Sequence, residues 1–503
     1  MFNLNLESGV FIIYLALVIG IGIYFFVKTK TGGEKDYFLG GRNMGPWVSA
    51  LSAGASDMSA WVLMGLPGSI YLWGMGQVWI SVGLLIGTIL AWIFIAPRLR
   101  RFSIRANDSI TIPQYFTNRF KATNPALQVV CAVIFIFAYC VYSASSIDAC
   151  GTLFETVLHL DPSLKIFTMI GATIVILLYT FLGGFNAVCW TDFFQGLLML
   201  AALMAAPIIA LAVMRSPEFL PAAEVVTDAN YYNFLSSGKF DWKSMADILS
   251  GLGWGLGYFG MPHILIRYMS IKSEKEMKKS RIVGIMWTTL ILLMASVVGL
   301  VAHQYLGTYL PEGSQKLVFV ELVRSIFKGL PILSGVLLSA ILAASMSTAD
   351  SQLLASSSAV ASDVYKPLIR KNASDKEMLW IGRIIVAVIA VVALIIAINP
   401  NSGGIMALVE NAWGAFGAAF GPTIILSLYW KRFTYKGAVA GIVAGFGVDI
   451  LWYILLSGKT GLYEIIPGFI AGMVVAIVVS LIDKEPSKEV IELFEEAKKP
   501  TEE

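Results

Sequence analysis

Apolar runs of about 20 residues recur from one end of this chain to the other, and no other feature narrows its fold as far. Inside hydrocarbon every backbone N–H and C=O must find its partner within the segment, so runs of this length read as membrane-crossing helices. The first covers 9–27. Twelve follow at about 46–73, 77–97, 127–158, 163–182, 189–214, 246–266, 282–305, 331–357, 380–398, 405–430, 437–457 and 463–482. Only 14% of the 503 residues are charged, against about 25% in a soluble domain. The prediction is an all-α polytopic membrane protein of about 13 transmembrane helices. It forms one membrane domain over 1–482, and a polar tail follows at 483–503. Met1 to Ser8 carries no basic residue and no small-residue cleavage site follows the first run, so that run reads as a span and not as a cleaved signal.

Charge sets the orientation. With their helix ends, the connections after odd-numbered spans and the tail hold 28 of the 36 lysines and arginines. The positive-inside rule then puts the N-terminus outside and the C-terminus in the cytoplasm of a cell-membrane protein. These basic runs read as solvated loops, and no nucleic acid or obligate protein partner is expected. The outer connections, about 215–245 and 306–330, are the long ones, and the first is expected to fold as a short lid or surface helix. Cys131, Cys140, Cys150 and Cys189 all fall in apolar segments, which suggests neither a disulfide framework nor a zinc site. His159, His263 and His303 lie far apart, and no nucleophile elbow is present, so an enzyme is not expected. Val490, Ile491 and Phe494 give the tail a weak apolar stripe.

Two spans are interrupted. Ser52 to Trp61 packs small residues, the hydroxyls of Ser52, Ser56 and Ser59, and one acid, Asp57, into the middle of the second span. An ionisable group at that depth is costly and functional by default. Unwound backbone there must line an enclosed cavity, where its freed carbonyls can ligate a cation. The competing reading is a continuous helix with Asp57 capping a neighbour. In the seventh span every second residue from Gly251 to Gly257 is glycine. The two interrupted spans lie five apart, an odd number, so the second unit enters the membrane from the opposite side. That is the pattern of inverted five-helix repeats, about 46–214 and 246–430, with the first and last two spans outside them.

Span nine carries Ser347 and Thr348, adjacent hydroxyls in a run of small residues. Neutral hydroxyl and carbonyl oxygens suit Na⁺, so these two with the second span's freed carbonyls make a candidate Na⁺ site. Back-bonding to their own helix is the plainer reading of such a pair. Trp254 and Tyr258, four apart on one helix face, suit a tight pocket for a small, partly apolar solute. Tyr142 sits in a polar stretch of span four and offers a further hydroxyl, although aromatics in membrane helices usually only pack.

These residues lie in recognisable motifs: LGGRNMGP (39–46), ALSAGASDMSAWVLMGLPG (50–68), GWGLGYFGMPH (253–263), LLSAILAASMSTADSQLL (337–354), AWGAFGAAFGP (412–422) and GLYEIIPGF (461–469). Through them, over essentially its whole length, the chain closely resembles the sodium/solute symporter family, and within it the bacterial members that carry proline. The resemblance implies a leucine-transporter-like 5+5 inverted-repeat core working by alternating access. It implies import of a small amino acid, L-proline first, driven by Na⁺ influx. Another small solute (another amino acid, a betaine, a carboxylate) and a non-concentrating sensor or channel are the alternatives. Carried over by position, Na⁺ would meet the carbonyls of Ala55, Met58 and Ala344 and the hydroxyls of Ser347 and Thr348, with Asp57 as a nearby charge. Tyr142, Trp254, Tyr258 and Ser59 match solute-pocket positions, and Arg42 matches a gating arginine at the cytoplasmic mouth. The chain departs from that pattern at Ala60 and Met261, where the proline carriers have Gly and Gln. Acids at Asp148, Asp350 and Glu410 stand where the proline-carrying members of that pattern are neutral. They could meet a cationic solute group, add an ion site or titrate, or be satisfied by neighbouring hydroxyls.

Overall fold

The computed structural model describes residues 6–28, 34–310, 313–399 and 401–500. The ends of both termini and part of the 306–330 connection lie outside them. Among the described residues the fold is all-helical, and its one β-bridge, parallel, joins Met44 to Ile271. In chain order the α-helices of eight residues or more are α1 (Leu6–Lys28), α2 (Pro46–Asp57), α3 (Gly65–Trp73), α4 (Val78–Leu90), α5 (Ala96–Arg105), α6 (Ile112–Arg119) and α7 (Ala126–Val157). Then come α8 (Lys165–Met214), α9 (Trp242–Gly253), α10 (Pro262–Ser270), α11 (Glu274–Leu306), α12 (Val318–Ile326) and α13 (Pro331–Val360). The last are α14 (Asp375–Ile398), α15 (Gly404–Tyr429), α16 (Tyr435–Trp452), α17 (Ile465–Ile482) and α18 (Lys488–Lys498).

Ten helices among the described residues are long and apolar enough to cross a membrane. The other three predicted spans depart for identifiable reasons. Gly184, at φ 60°, breaks α8 and leaves only a short apolar helix, Lys165–Leu178, before it. The spans at 46–73 and 246–266 are each split in two: α2 with α3, and α9 with α10.

Apolar side chains lie outside as well as inside. On α14, Ile384, Val388, Val391 and Ile395 recur every three or four residues and are all exposed, a stripe suited to lipid. At the centre, α13 is buried on all sides from Leu338 to Ala359. Its serines and alanines let α1, α2, α7 and α8 approach closely. Glycine does the same for the second broken helix. A Cβ on Gly255 would lie 2.3 Å from the Gly83 carbonyl oxygen of α4, and one on Gly257 2.0 Å from Trp413 of α15. The alternating glycines thus serve close packing as well as interruption.

Two connections differ from expectation. Residues 215–241 form turns with no helix of their own. Tyr231 holds the segment down, donating to the Ile70 carbonyl at 2.8 Å and stacking on His303 at 3.9 Å. The tail's weak stripe makes a docked helix, α18, with Val490, Phe494 and Ala497 buried. Phe494 packs on Phe102 and lies under the Arg119 guanidinium, 4.9 Å from it.

Candidate functional site

Helix α2 ends at Met58, where ψ swings to 70°. In a continuous helix the Ser59 N–H would bond the Ala55 carbonyl. Here it bonds the Asp57 carbonyl at 2.9 Å, and the Ala55 carbonyl is released. The Ser347 hydroxyl of α13 takes it at 2.8 Å and also reaches the Ala344 carbonyl at 3.1 Å. Next to it the Thr348 hydroxyl is fully buried and makes no hydrogen bond. Four of the five predicted ion ligands therefore sit on two facing elements, and three of them are in direct contact. Met58 is buried at the break itself. The donor set is neutral oxygen, which suits Na⁺, and an orphaned buried hydroxyl among such oxygens fits a cation.

Asp57 ties the break to its surroundings. Its carboxylate accepts from the Tyr258 hydroxyl, and its carbonyl accepts from the Tyr142 hydroxyl and the Trp61 indole N–H, each at 3.2 Å. Its second carboxylate oxygen, Oδ1, is buried without a partner. Two predicted solute-pocket hydroxyls are thus turned onto one residue of the broken span. Trp254 stands 6.1 Å from Trp61 and 5.3 Å from Tyr463, and its carbonyl accepts from Trp413 at 2.7 Å. The Ser59 hydroxyl accepts the Trp61 N–H at 3.4 Å and caps the short helical turn 60–62. Ala60 and Met261 are buried, Met261 as the residue before α10. All six predicted pocket residues are buried, so this state is closed around them. On one side Trp254 and Tyr463 border a cavity of about 250 Å³ shared with Asp247 and Glu410.

The opposite end is closed by Arg42. Gly40, Gly41 and Arg42 have φ of 63°, 62° and 56° in succession, a left-handed run that two glycines make accessible. It turns the guanidinium onto Asp108 at 2.8 Å, the Met269 carbonyl at 2.5 Å and the Ser109 carbonyl at 2.7 Å. Desolvation pulls the Arg42 pKa down, and Asp108 opposes it. For Asp108, burial pushes the carboxyl up, but Lys35 and Arg42 together hold it below the usual range. Met44 and Lys272 complete the closure, each donating its N–H across the gap at 3.2 Å.

The sequence reading passed over one group. Arg267 of α10 pairs with Asp192 of α8 at 3.0 Å, both buried. It also donates to Ser52 at 3.0 Å and to Ser351 at 2.5 Å, while Ser52 donates to Asp192 at 2.7 Å. Both halves of the fold meet there. Its signal was visible: one acid and one base at bilayer depth, each needing a partner. Of the unusual acids, Asp148 pairs with Lys165 at 2.6 Å, Asp350 accepts from Ser351 at 3.2 Å, and Glu410 faces the cavity.

A family model, Sodium:solute symporter family, matches residues 37–445. The chain belongs to that family. This symporter is 41% identical to the osmoregulated proline transporter OpuE of Bacillus subtilis, over 95% of this chain and 97% of the relative. It is 41% identical to the sodium/proline symporter of Escherichia coli, over 97% and 95% respectively. Among solved structures, a Na⁺-coupled sialic acid symporter in a substrate-bound outward-open state matches 96% of this chain and 98% of its own, with TM-score 0.78 at 19% identity. MhsT in complex with L-phenylalanine matches 87% and 98%, with TM-score 0.55 at 16% identity. These two likenesses are of fold: the symporter has the leucine-transporter-like architecture, with Na⁺ as its coupling ion.

Proposed function

We propose that this symporter imports L-proline with Na⁺ across the cell membrane, its N-terminus outside and its C-terminus in the cytoplasm. The observation that carries the ion half is the Ser347 hydroxyl on the released Ala55 carbonyl, with the unpartnered Thr348 hydroxyl beside it. Relatives 41% identical over nearly the whole chain, named for proline transport, support the solute. Na⁺ replaces the Ser347–Ala55 hydrogen bond with ligation by the carbonyls of Ala55, Met58 and Ala344 and the hydroxyls of Ser347 and Thr348. That joins α2 to α13 and orders the break. Solute then draws the Tyr142 and Tyr258 hydroxyls from Asp57 and packs on Trp254, with Ser59, Ala60 and Met261 around it. Release to the cytoplasm requires the Arg42 contacts to open. No chemical bond is made or broken.

The driving force is sufficient. One Na⁺ entering down 100 mV contributes about 2.3 kcal/mol, and a tenfold gradient about 1.4 kcal/mol more. Together they support accumulation of several hundredfold.

Ala60 and Met261 favour a second solute as the specific alternative. Each alters an edge of the pocket, and Met261 lacks the amide that the proline carriers have there. A site that loses a polar partner can change preference by orders of magnitude. The test is radiolabelled L-proline uptake into proteoliposomes with and without an inward Na⁺ gradient. Na⁺-dependent accumulation supports the reading. Na⁺-driven uptake of a different small solute, with none of proline, replaces the substrate. Equilibration without accumulation identifies a channel.

A further inference from the structure

Where α15, α16 and the start of α17 meet, two buried acids approach the same glycine with no basic partner. Asp449 of α16 is 1% exposed and Glu464, just before α17, is 2% exposed. Asp449 Oδ1 and Glu464 Oε1 are both buried and neither makes a hydrogen bond. They converge on one glycine of α15: a Cβ on Gly414 would lie 2.9 Å from Asp449 Oδ1 and 3.5 Å from Glu464 Cγ. The groups around them supply no positive charge. Glu410 of α15 is half-buried and lines the cavity with Asp247 of α9, and Asp247 accepts from the Ser236 hydroxyl. The Tyr463 hydroxyl donates to the Glu410 carbonyl at 2.8 Å and so serves neither carboxyl. Among the described residues no lysine or arginine forms an ion pair with either acid, and no three His, Cys, Asp or Glu converge as a metal site.

Two ionised carboxylates cannot share such a space, because desolvation and mutual repulsion add and nothing offsets them. Carboxyl pairs at close range resolve this by sharing one proton. We propose that Asp449 and Glu464 form a proton-binding site, taking one proton from water so that a carboxylic acid on one donates to the carboxylate of the other. Glu464 adjoins Tyr463, whose ring lies 5.3 Å from that of Trp254, and Trp254 lies 6.1 Å from Trp61 beside the break. Tyr463, tilted against Trp254 and bonded to the Glu410 carbonyl of α15, connects the two acids mechanically to the proposed solute pocket. Proton binding favours the packed form, so raising the pH through the site's titration range leaves two negative charges in the wedge and loosens Tyr463 and Trp254.

The experiment is infrared spectroscopy of the full chain in lipid. The protonated-carboxyl band, identified by its shift in D₂O, is compared with Asp449→Asn, Glu464→Gln and the double variant. The site predicts a band component at neutral pH that falls on alkalinisation, shifts in frequency in each single variant, where the remaining buried acid loses its carboxylate partner, and is missing from the double variant. It also predicts that Na⁺-driven uptake at saturating Na⁺ falls with rising external pH in the wild type and is flat in the double variant, whose amides stand in for the protonated acids. The uptake arm rests on the proposed transport function, whereas the band does not. Spectra of wild type and double variant that match in this region would overturn the proposal. So would loss of the component at fixed pH on adding Na⁺ or K⁺, which would make it a metal-cation site.

Discussion

Ser347 and Thr348 differ in what their hydroxyls do, and the difference separates an ion site from helix back-bonding. Ser347 reaches across to α2, while Thr348 is buried with nothing to bond. A hydrogen-bonding group acting on a charge is worth about 1.5–3 kcal/mol. Thr348→Ala is therefore expected to raise the Na⁺ concentration for half-maximal uptake roughly tenfold or more. It should leave thermal stability almost unchanged, because alanine suits a helix interior. A Na⁺ titration of uptake beside a melting curve checks both. At the opposite end, Lys35 and Arg42 hold Asp108 below the usual carboxylate range. It stays ionised above the ordinary aspartate value, and its tie to Arg42 is lost only as pH falls through its lowered value. Closure of that end should thus be constant from neutral to mildly acid pH, whereas Asp108→Asn weakens it at neutral pH. Amide exchange at Met44 and Lys272 reads this directly; a variant with unchanged exchange there would refute it.

Glycine and the docked tail make predictions at the level of elements. Gly257→Ala sets a methyl 2.0 Å from the Trp413 indole, and overpacking of this kind costs about 1–3 kcal/mol. A lowered melting temperature and impaired uptake are expected together, because Trp413 also holds the Trp254 carbonyl. Phe494→Ala should release α18, seen as faster amide exchange over 488–498, while the membrane helices keep their protection. The same elements show what a sequence can and cannot disclose. The breaks were legible because small residues and one acid interrupt runs otherwise long enough to span. The short first half of α8 was not, since Gly184 looks like any membrane glycine until its φ is known. The pairing of Arg267 with Asp192 was hidden for another reason: the partners lie 75 residues apart, and only tertiary packing brings them together. In the tail, Val490 and Phe494 marked the buried face, which Ala497 completes where Ile491 is only half-buried, and the surface that receives it is made by α5 and α6.

For the molecule as a whole, orientation and coupling carry the account. The four native cysteines are all buried, so single exposed cysteines report topology on an otherwise silent background. Lys459→Cys is expected to react with a membrane-impermeant maleimide on intact cells, and Lys488→Cys only after permeabilisation; the reverse result would invert the protein. The central claim is that oxygen atoms freed by the break in the second span join the hydroxyls of α13 to hold the driving ion. Its most direct test is L-proline accumulation by proteoliposomes under an inward Na⁺ gradient, comparing the wild type with the Ser347→Ala/Thr348→Ala double variant at matched protein incorporation. The account predicts concentrative uptake by the wild type and none above background by the variant. Wild-type accumulation by the variant would contradict it.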